Sequence, residues 1–121
     1  MQIIESPALS APNGKSARVI VVSGRIDQST ADLFDKALKP FLDTCRNGEA
    51  PLIIDFSGVD YISSVGLRVL MLASRQVKSQ SGRIAIAALT PVVAEVFQIS
   101  RFNLVFQVFA TPDAAAAALS V

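Results

Sequence analysis

The sequence predicts a single α/β domain with a mostly parallel sheet of four to five strands, an N-terminal edge strand and about four helices. Three observations carry this. Short β-branched apolar runs alternate with stretches of helical periodicity, which implies right-handed crossovers and parallel pairing. At 121 residues the chain has room for one domain. With 51% hydrophobic residues against 17% charged, and a mean hydropathy of +0.48, it has ample material for a core.

Each element follows in order. The residues around Ile3 and Ile4 read as an edge strand, turned back at Pro12-Asn13-Gly14. Residues 18–23 hold Val19, Ile20, Val21 and Val22, the continuous run expected of a central strand buried on both faces. Leu33, Phe34, Ala37, Leu38, Phe41, Leu42 and Cys45 repeat in two adjacent i, i+4 rows, an amphipathic helix. Ser29 and Asp32 are spaced for a capping box at its start, and Pro40 is expected to kink or shorten it. Residues 52–56 form the next apolar run. A helix then spans about 65–79 and stops at Ser81-Gly82. A strand at 84–89 precedes a helix at 91–99 with Pro91 in its first turn. Residues 104–109 read as the last strand, and Thr111-Pro112-Asp113 opens an Ala-rich helix. With no internal repeat or linker, the domain is expected to fill residues 1–121, with its core at about 17–119.

Composition excludes several chemistries. The chain has no His, so Ser-His-Asp and Cys-His catalysis, a phosphohistidine relay and His-ligated zinc are all ruled out. Lone Cys45 forms no internal disulfide and no CxxC pair, as expected in a reducing compartment. Lys+Arg 11 against Asp+Glu 10 leaves +1, which argues against charge-driven binding to nucleic acid or acidic membranes. No apolar run approaches the ~20 residues that span a bilayer, and the first residues lack the pattern of a signal peptide. A cytoplasmic location is therefore expected, with no membrane insertion.

Two candidate sites fail on inspection. Gly14-Lys15-Ser16 looks like the end of a phosphate loop, but position 9 is Leu9 and a strand follows where a helix is required. Asp55 and Asp60 lack a His, a Cys or a third ligand, so a structural or capping role is expected of both.

Residues 52–70 are more informative. A buried strand, a short loop and a helix beginning around Ser63-Ser64 follow one another. A serine at such a junction is first of all an N-cap. Gly66 is not explained by capping, since a glycine in the first turn costs ~1 kcal/mol relative to Ala. It falls on the helical row of Leu70, Ala73 and Val77, so either close helix–sheet approach or close approach of something else to the backbone accounts for it. Val65, Val69 and Leu72 lie on one flank of that row and Leu67 and Met71 on the other, with Arg68, Arg75 and Ser79 toward solvent. That apolar arc is wider than the ~100° a surface helix needs. The surplus packs on neighbouring helices or forms an exposed patch, and such a patch is usually a protein contact.

Ser63-Ser64-Val65-Gly66-Leu67 after Ile53-Ile54-Asp55-Phe56 resembles the STAS domain, the fold of bacterial anti-sigma factor antagonists. Gly24-Arg25-Ile26-Asp27-Gln28-Ser29-Thr30-Ala31 resembles the family's segment before the first long helix. Ala87-Ala88-Leu89-Thr90-Pro91-Val92-Val93, then Val96-Phe97 and Ile99-Ser100, resembles its third-helix region. The match extends over residues 19–119.

The resemblance implies a non-enzymatic binding module with no cofactor and no metal. In that family the serine two positions before the glycine is phosphorylated by an anti-sigma factor serine kinase, and a PP2C-type phosphatase reverses the reaction. The unmodified form binds the anti-sigma factor and frees the sigma factor, so transcription is regulated by partner switching. Carried onto this chain, the phosphoacceptor is Ser64, surrounded by Asp27, Asp55, Ser63, Gly66, Leu67 and Arg68. The partner surface is Val65, Val69, Leu72, Met71 and Arg75, on a monomer or weak homodimer. Two positions depart from the family pattern: Ser63 stands where Asp is common, replacing its hydrogen bonding or competing as acceptor, and Arg25 where an acidic residue is frequent. The alternative within the fold is a STAS subunit of another complex, such as a lipid-transport ABC assembly or a stress-signalling scaffold, without serine phosphorylation. An enzyme using Ser64 as nucleophile would need an adjacent base, and neither Lys15 nor Lys78 is placed by any motif.

Overall fold

The continuous β-branched runs conceal a strict alternation, and that alternation builds the molecule. The structure, a computed structural model, describes residues 1–10 and 14–119. Its elements are β1 (Gln2–Ser10), β2 (Ser16–Ile26), α1 (Ala31–Asp43), β3 (Leu52–Ile62), α2 (Ser64–Ser79), β4 (Ile84–Ala87), α3 (Pro91–Ile99), β5 (Gln107–Phe109) and α4 (Pro112–Leu119), with a 3-10 turn at Phe102–Leu104. The five strands lie in the order β1-β2-β3-β4-β5. β1 pairs antiparallel to β2, and the remaining pairs are parallel.

Successive strand residues face opposite sides. Ile20 and Val22 of β2, Leu52, Ile54 and Phe56 of β3 and Ile86 of β4 join Phe34, Leu38 and Leu42 of α1, Leu70 and Val77 of α2, and Val93 and Phe97 of α3. The alternate residues, Ala17, Val19, Ile53, Ala85 and Ala87, meet Ala115, Ala116 and Leu119 of α4. The sheet is therefore covered on both faces, as a mostly parallel sheet must be. Within the larger layer, rings run from Phe34 through Phe56, Phe97 and Phe102 to Phe106 at centroid spacings of 6.5, 6.4, 5.3 and 6.2 Å.

Several expectations change. Residues 104–106 are not strand: Leu104 closes the 3-10 turn, and only Gln107–Phe109 pair with β4. The i, i+4 spacing of Phe102 and Phe106 buries both rings and leaves Leu104 77% exposed. β4 ends at Ala87 because Ala88 takes a left-handed backbone (φ 61), its N–H bonding to the Phe109 carbonyl at 3.0 Å. The Ser29–Asp32 capping box does not form. Thr30 is the N-cap of α1 and makes no side-chain cap bond, its hydroxyl being held by the Arg25 carbonyl and the Asp27 N–H. Pro40 does not shorten α1, which continues to Asp43. The carbonyl that loses its bond belongs to exposed Lys36, within reach of water. Of the expected turn at residues 12–14, residues 12 and 13 lie outside the described residues.

The stop of α2 is local. Ser81 (φ 58) takes the left-handed position, with Gly82 N–H on the Val77 carbonyl and Ser81 N–H on the Lys78 carbonyl, a Schellman pair.

The expected strand at 52–56 runs on to Ile62, so Asp55 lies within it rather than at its end. There its carboxylate accepts the Ser57 N–H at 2.8 Å. The added length pairs with residues 23–26 of β2 across register shifts after Val21 and after Gly24. This extension delivers the chain to the start of α2, where the Ser63 N–H donates to the Ile26 carbonyl at 2.8 Å.

Candidate functional site

Two consecutive serines at the start of α2 have different fates. Ser63 has extended backbone (φ −89, ψ 174), and its Oγ accepts the Gly66 N–H at 3.4 Å, so Ser63 is the N-cap. Ser64 is the first helical residue, is exposed, and its hydroxyl forms no hydrogen bond among the described residues. It stands where the unsatisfied N–H groups and the positive end of the helix dipole meet solvent.

Gly66 is buried, and the reason is packing. A Cβ there would lie 2.7 Å from Ile26 Cγ2 and 2.8 Å from Ile62 Cγ1, so α2 sits on the β2 and β3 ends at a distance only glycine permits. Close helix–sheet approach is thus the reason for this glycine.

Beside Ser64 lies an open depression of about 420 Å³ lined by Arg25, Asp27, Gln28, Ser29, Tyr61, Ser63, Ser64 and Val65. Its cross-strand partners Arg25 and Tyr61 are brought together by the β2–β3 register. The Arg25 guanidinium lies 4.1 Å from the Tyr61 ring centroid, and its Nε donates to Asp27 Oδ2 at 2.8 Å. Asp27 Oδ1 accepts from the Ser29 hydroxyl at 2.7 Å and from the Ser29 N–H at 2.9 Å. These bonds, the Ser29 hydroxyl first and Arg25 next, hold the Asp27 carboxyl down at about 2 against an ordinary 3.8. It is ionised throughout the neutral range.

Of the residues expected around the site, Asp27 and Ser63 line this depression with Ser64, and Val65 of the expected partner surface joins them. Asp55 and Arg68 do not line it. Arg68 is exposed one turn along α2, where helical side-chain direction carries it back toward Ser64. Leu67 is buried in the core. Val69 and Met71 are half-buried and pack against that core, so the apolar flank is narrower than its helical wheel implies. Leu72 is 46% exposed, with Arg75 exposed nearby on the helix. Tyr61 is a neighbour in this depression that sequence patterns do not single out, because the cross-strand register brings it in; Ser29, expected to cap α1, instead bonds Asp27. Among the described residues no group of His, Cys, Asp or Glu side chains is placed to hold a metal ion, and no helix is long and apolar enough to cross a membrane.

Comparison with known proteins agrees with this fold. Over 100 residues the chain is 35% identical to BtrV of Bordetella bronchiseptica, provisionally named an anti-sigma factor antagonist, covering 83% of this chain and 84% of BtrV. The crystal structure of an anti-sigma factor antagonist from Mycobacterium paratuberculosis superposes with a TM-score of 0.78 at 23% identity, over 99% of this chain and 96% of that one. SpoIIAA of Bacillus, solved in both unphosphorylated and phosphorylated forms, matches at TM-scores of 0.71 and 0.62, with 18% and 17% identity. The unphosphorylated form is covered over 96% of its length by 98% of this chain, and the phosphorylated form over 96% by 94%. The family profile for the STAS domain matches residues 8–115, and the chain belongs to that family.

Proposed function

We propose that the chain is an anti-sigma factor antagonist switched by phosphorylation of Ser64. Unphosphorylated, it binds an anti-sigma factor that is also a serine kinase, releasing the sigma factor. Phosphorylated, it lets go until a PP2C-type phosphatase restores it. The observation that carries this reading is the exposed, unengaged Ser64 hydroxyl at the first position of α2, beside a neighbour already committed to capping. The names of BtrV and of RsfB, an anti-sigma-F factor antagonist of Mycobacterium tuberculosis, support the antagonist role.

In the transfer, Ser64 Oγ forms a bond to the γ-phosphorus of ATP as the bond to the β,γ-bridging oxygen breaks, and the hydroxyl proton goes to a base of the kinase. The product adds about −1.5 to −2 charge at a helix N-terminus, where free N–H groups and the dipole favour it. The fold therefore tolerates the modification. The interface does not: a buried dianion without a partner need cost only ~3 kcal/mol to weaken binding more than a hundredfold. Leu72, with Val65, Val69, Met71 and Arg75 around it on α2, supplies the proposed contact surface.

Incubation with a candidate anti-sigma serine kinase and ATP, followed by mass spectrometry, is expected to place one phosphate on Ser64 and none on the Ser64→Ala variant. Ser64→Asp should keep the wild-type circular dichroism and lose affinity for the anti-sigma factor about a hundredfold. Modification confined to Ser63, or unchanged binding by Ser64→Asp, would overturn the reading.

A further inference from the structure

We infer that Arg25 is an internal receptor for the phosphate on Ser64, with Asp27 and Tyr61 as the positioning residues that aim its guanidinium. The inference rests on Ser64 as the phosphorylation site and adds where the phosphate goes once it is there.

Three observations carry it. Arg25 and Ser64 line the same depression. They flank a single backbone link, since the Ile26 carbonyl next to Arg25 accepts the N–H of Ser63 next to Ser64 at 2.8 Å. The guanidinium is also held with most of its donors unused. Nε is on Asp27 and the guanidinium carbon lies over the Tyr61 ring, while neither Nη group makes a hydrogen bond among the described residues. A guanidinium carries five N–H donors in a rigid fork that matches two phosphate oxygens. Here one donor fixes the fork and the Nη pair remains for an anion. The side chain is 61% exposed, so an incoming phosphate meets it without a buried barrier.

The Asp27 carboxylate gives the pairing its second function. It fixes Arg25, yet it is itself an anion in the depression that receives the phosphate. Arg25 bridges the two anions, and without it they repel. The other charged group in reach from α2 is Arg68, on the solvent side of the helix. A lysine at position 25 would keep the charge and lose the fork that reaches both Asp27 and an anion.

The test uses full-length protein with phosphoserine incorporated at position 64 during translation, so no kinase is needed. A ³¹P pH titration reads the second ionisation of the phosphate, ordinarily near pH 6. In the wild-type background this value should lie about 0.5 unit or more below that of the same phosphate on an unfolded peptide spanning the site. Arg25→Gln should raise it by a similar amount, Arg25→Lys should fall between, and Arg68→Gln should move it less than Arg25→Gln does. The Arg25 Nε and Nη resonances of the otherwise unchanged protein should shift when the phosphate is present, a readout that survives if Arg25→Gln fails to fold. Equal ionisation in the wild-type background and Arg25→Gln, unmoved Arg25 resonances, or a larger effect from Arg68→Gln would overturn the inference. Failure of every kinase to modify Ser64 would instead overturn the switch and leave this result standing.

Discussion

Replacing Gly66 by Ala sets two effects of opposite sign against each other. Alanine in a helix interior is favoured over glycine by ~1 kcal/mol, so propensity alone predicts a more stable protein. Against this, the new Cβ would stand 2.7 Å from Ile26 Cγ2 and 2.8 Å from Ile62 Cγ1, where carbon atoms prefer about 3.5–4.0 Å. Neither neighbour can swing aside easily. Both atoms sit on the Cβ of a β-branched side chain, and both side chains are fully buried, Ile26 at 0% and Ile62 at 1% exposure. Overpacking of this kind costs ~1–3 kcal/mol, and two simultaneous overlaps near 1 Å belong at the upper end. The net expectation is a loss of about 1–2 kcal/mol, or a fall of about 0.5–1 M in the urea midpoint. The relief available is to lift the first turn of α2 off the sheet, which also displaces Ser64. Equilibrium urea unfolding of Gly66→Ala beside wild type measures the sign directly. A raised midpoint would refute the packing account and return Gly66 to the role of a backbone position kept clear for a partner.

Two further perturbations separate the roles of neighbouring groups. Ser63→Ala should cost about 0.5–1 kcal/mol through the lost cap, at the low end of the usual range because the bond is long at 3.4 Å. Ser64→Ala should stay within about 0.5 kcal/mol of wild type, and a larger loss at Ser64 than at Ser63 would reverse the assignment. For Asp27 the folded value near 2 lies below the ordinary 3.8, so the unfolded chain takes up the proton first. Its stabilisation is present in full above about pH 5 and is lost as pH falls through the folded value toward 2. The stability difference between wild type and Asp27→Asn should therefore be constant above about pH 5 and shrink below it. A difference that stays level down to pH 2 would show that these hydrogen bonds do not hold the carboxylate ionised.

What could be read from sequence was what local chemistry determines. α3 and α4 begin at Pro91 and Pro112, and α2 begins beside a capping serine and ends at a Schellman turn. Each of those signals acts within a few residues of itself. The misreadings share the opposite property. Residues 57–61 carry little that marks a strand, and they extend β3 because β2 lies alongside with paired positions at Ser23, Gly24 and Arg25. The apolar run at 104–109 invites a strand, yet the core there is a row of phenylalanine rings, and Phe102 and Phe106 reach it by a helical turn. The surroundings of Ser64 divide along the same line. The helix start beside Ser63 and the nearness of Asp27 could be expected from the sequence, whereas the pairing of Arg25 with Tyr61 comes from strand register.

That division bears on how a small domain accommodates a switch. Capping and signalling make competing demands on a serine at a helix start, because a hydroxyl engaged with a backbone N–H is constrained by the fold it supports. In this chain consecutive residues separate the two tasks. Ser63 holds the first turn, while Ser64 is exposed and its hydroxyl makes no hydrogen bond among the described residues. On the proposed reading, phosphate is thus added without removing any bond on which the fold depends. The surrounding electrostatics give that addition a large relative effect. A formal charge of +1 becomes about −1 when two negative charges are added. A strongly charged protein would dilute the same phosphate in its own field, whereas on a nearly neutral chain one phosphate reverses the sign of the net charge.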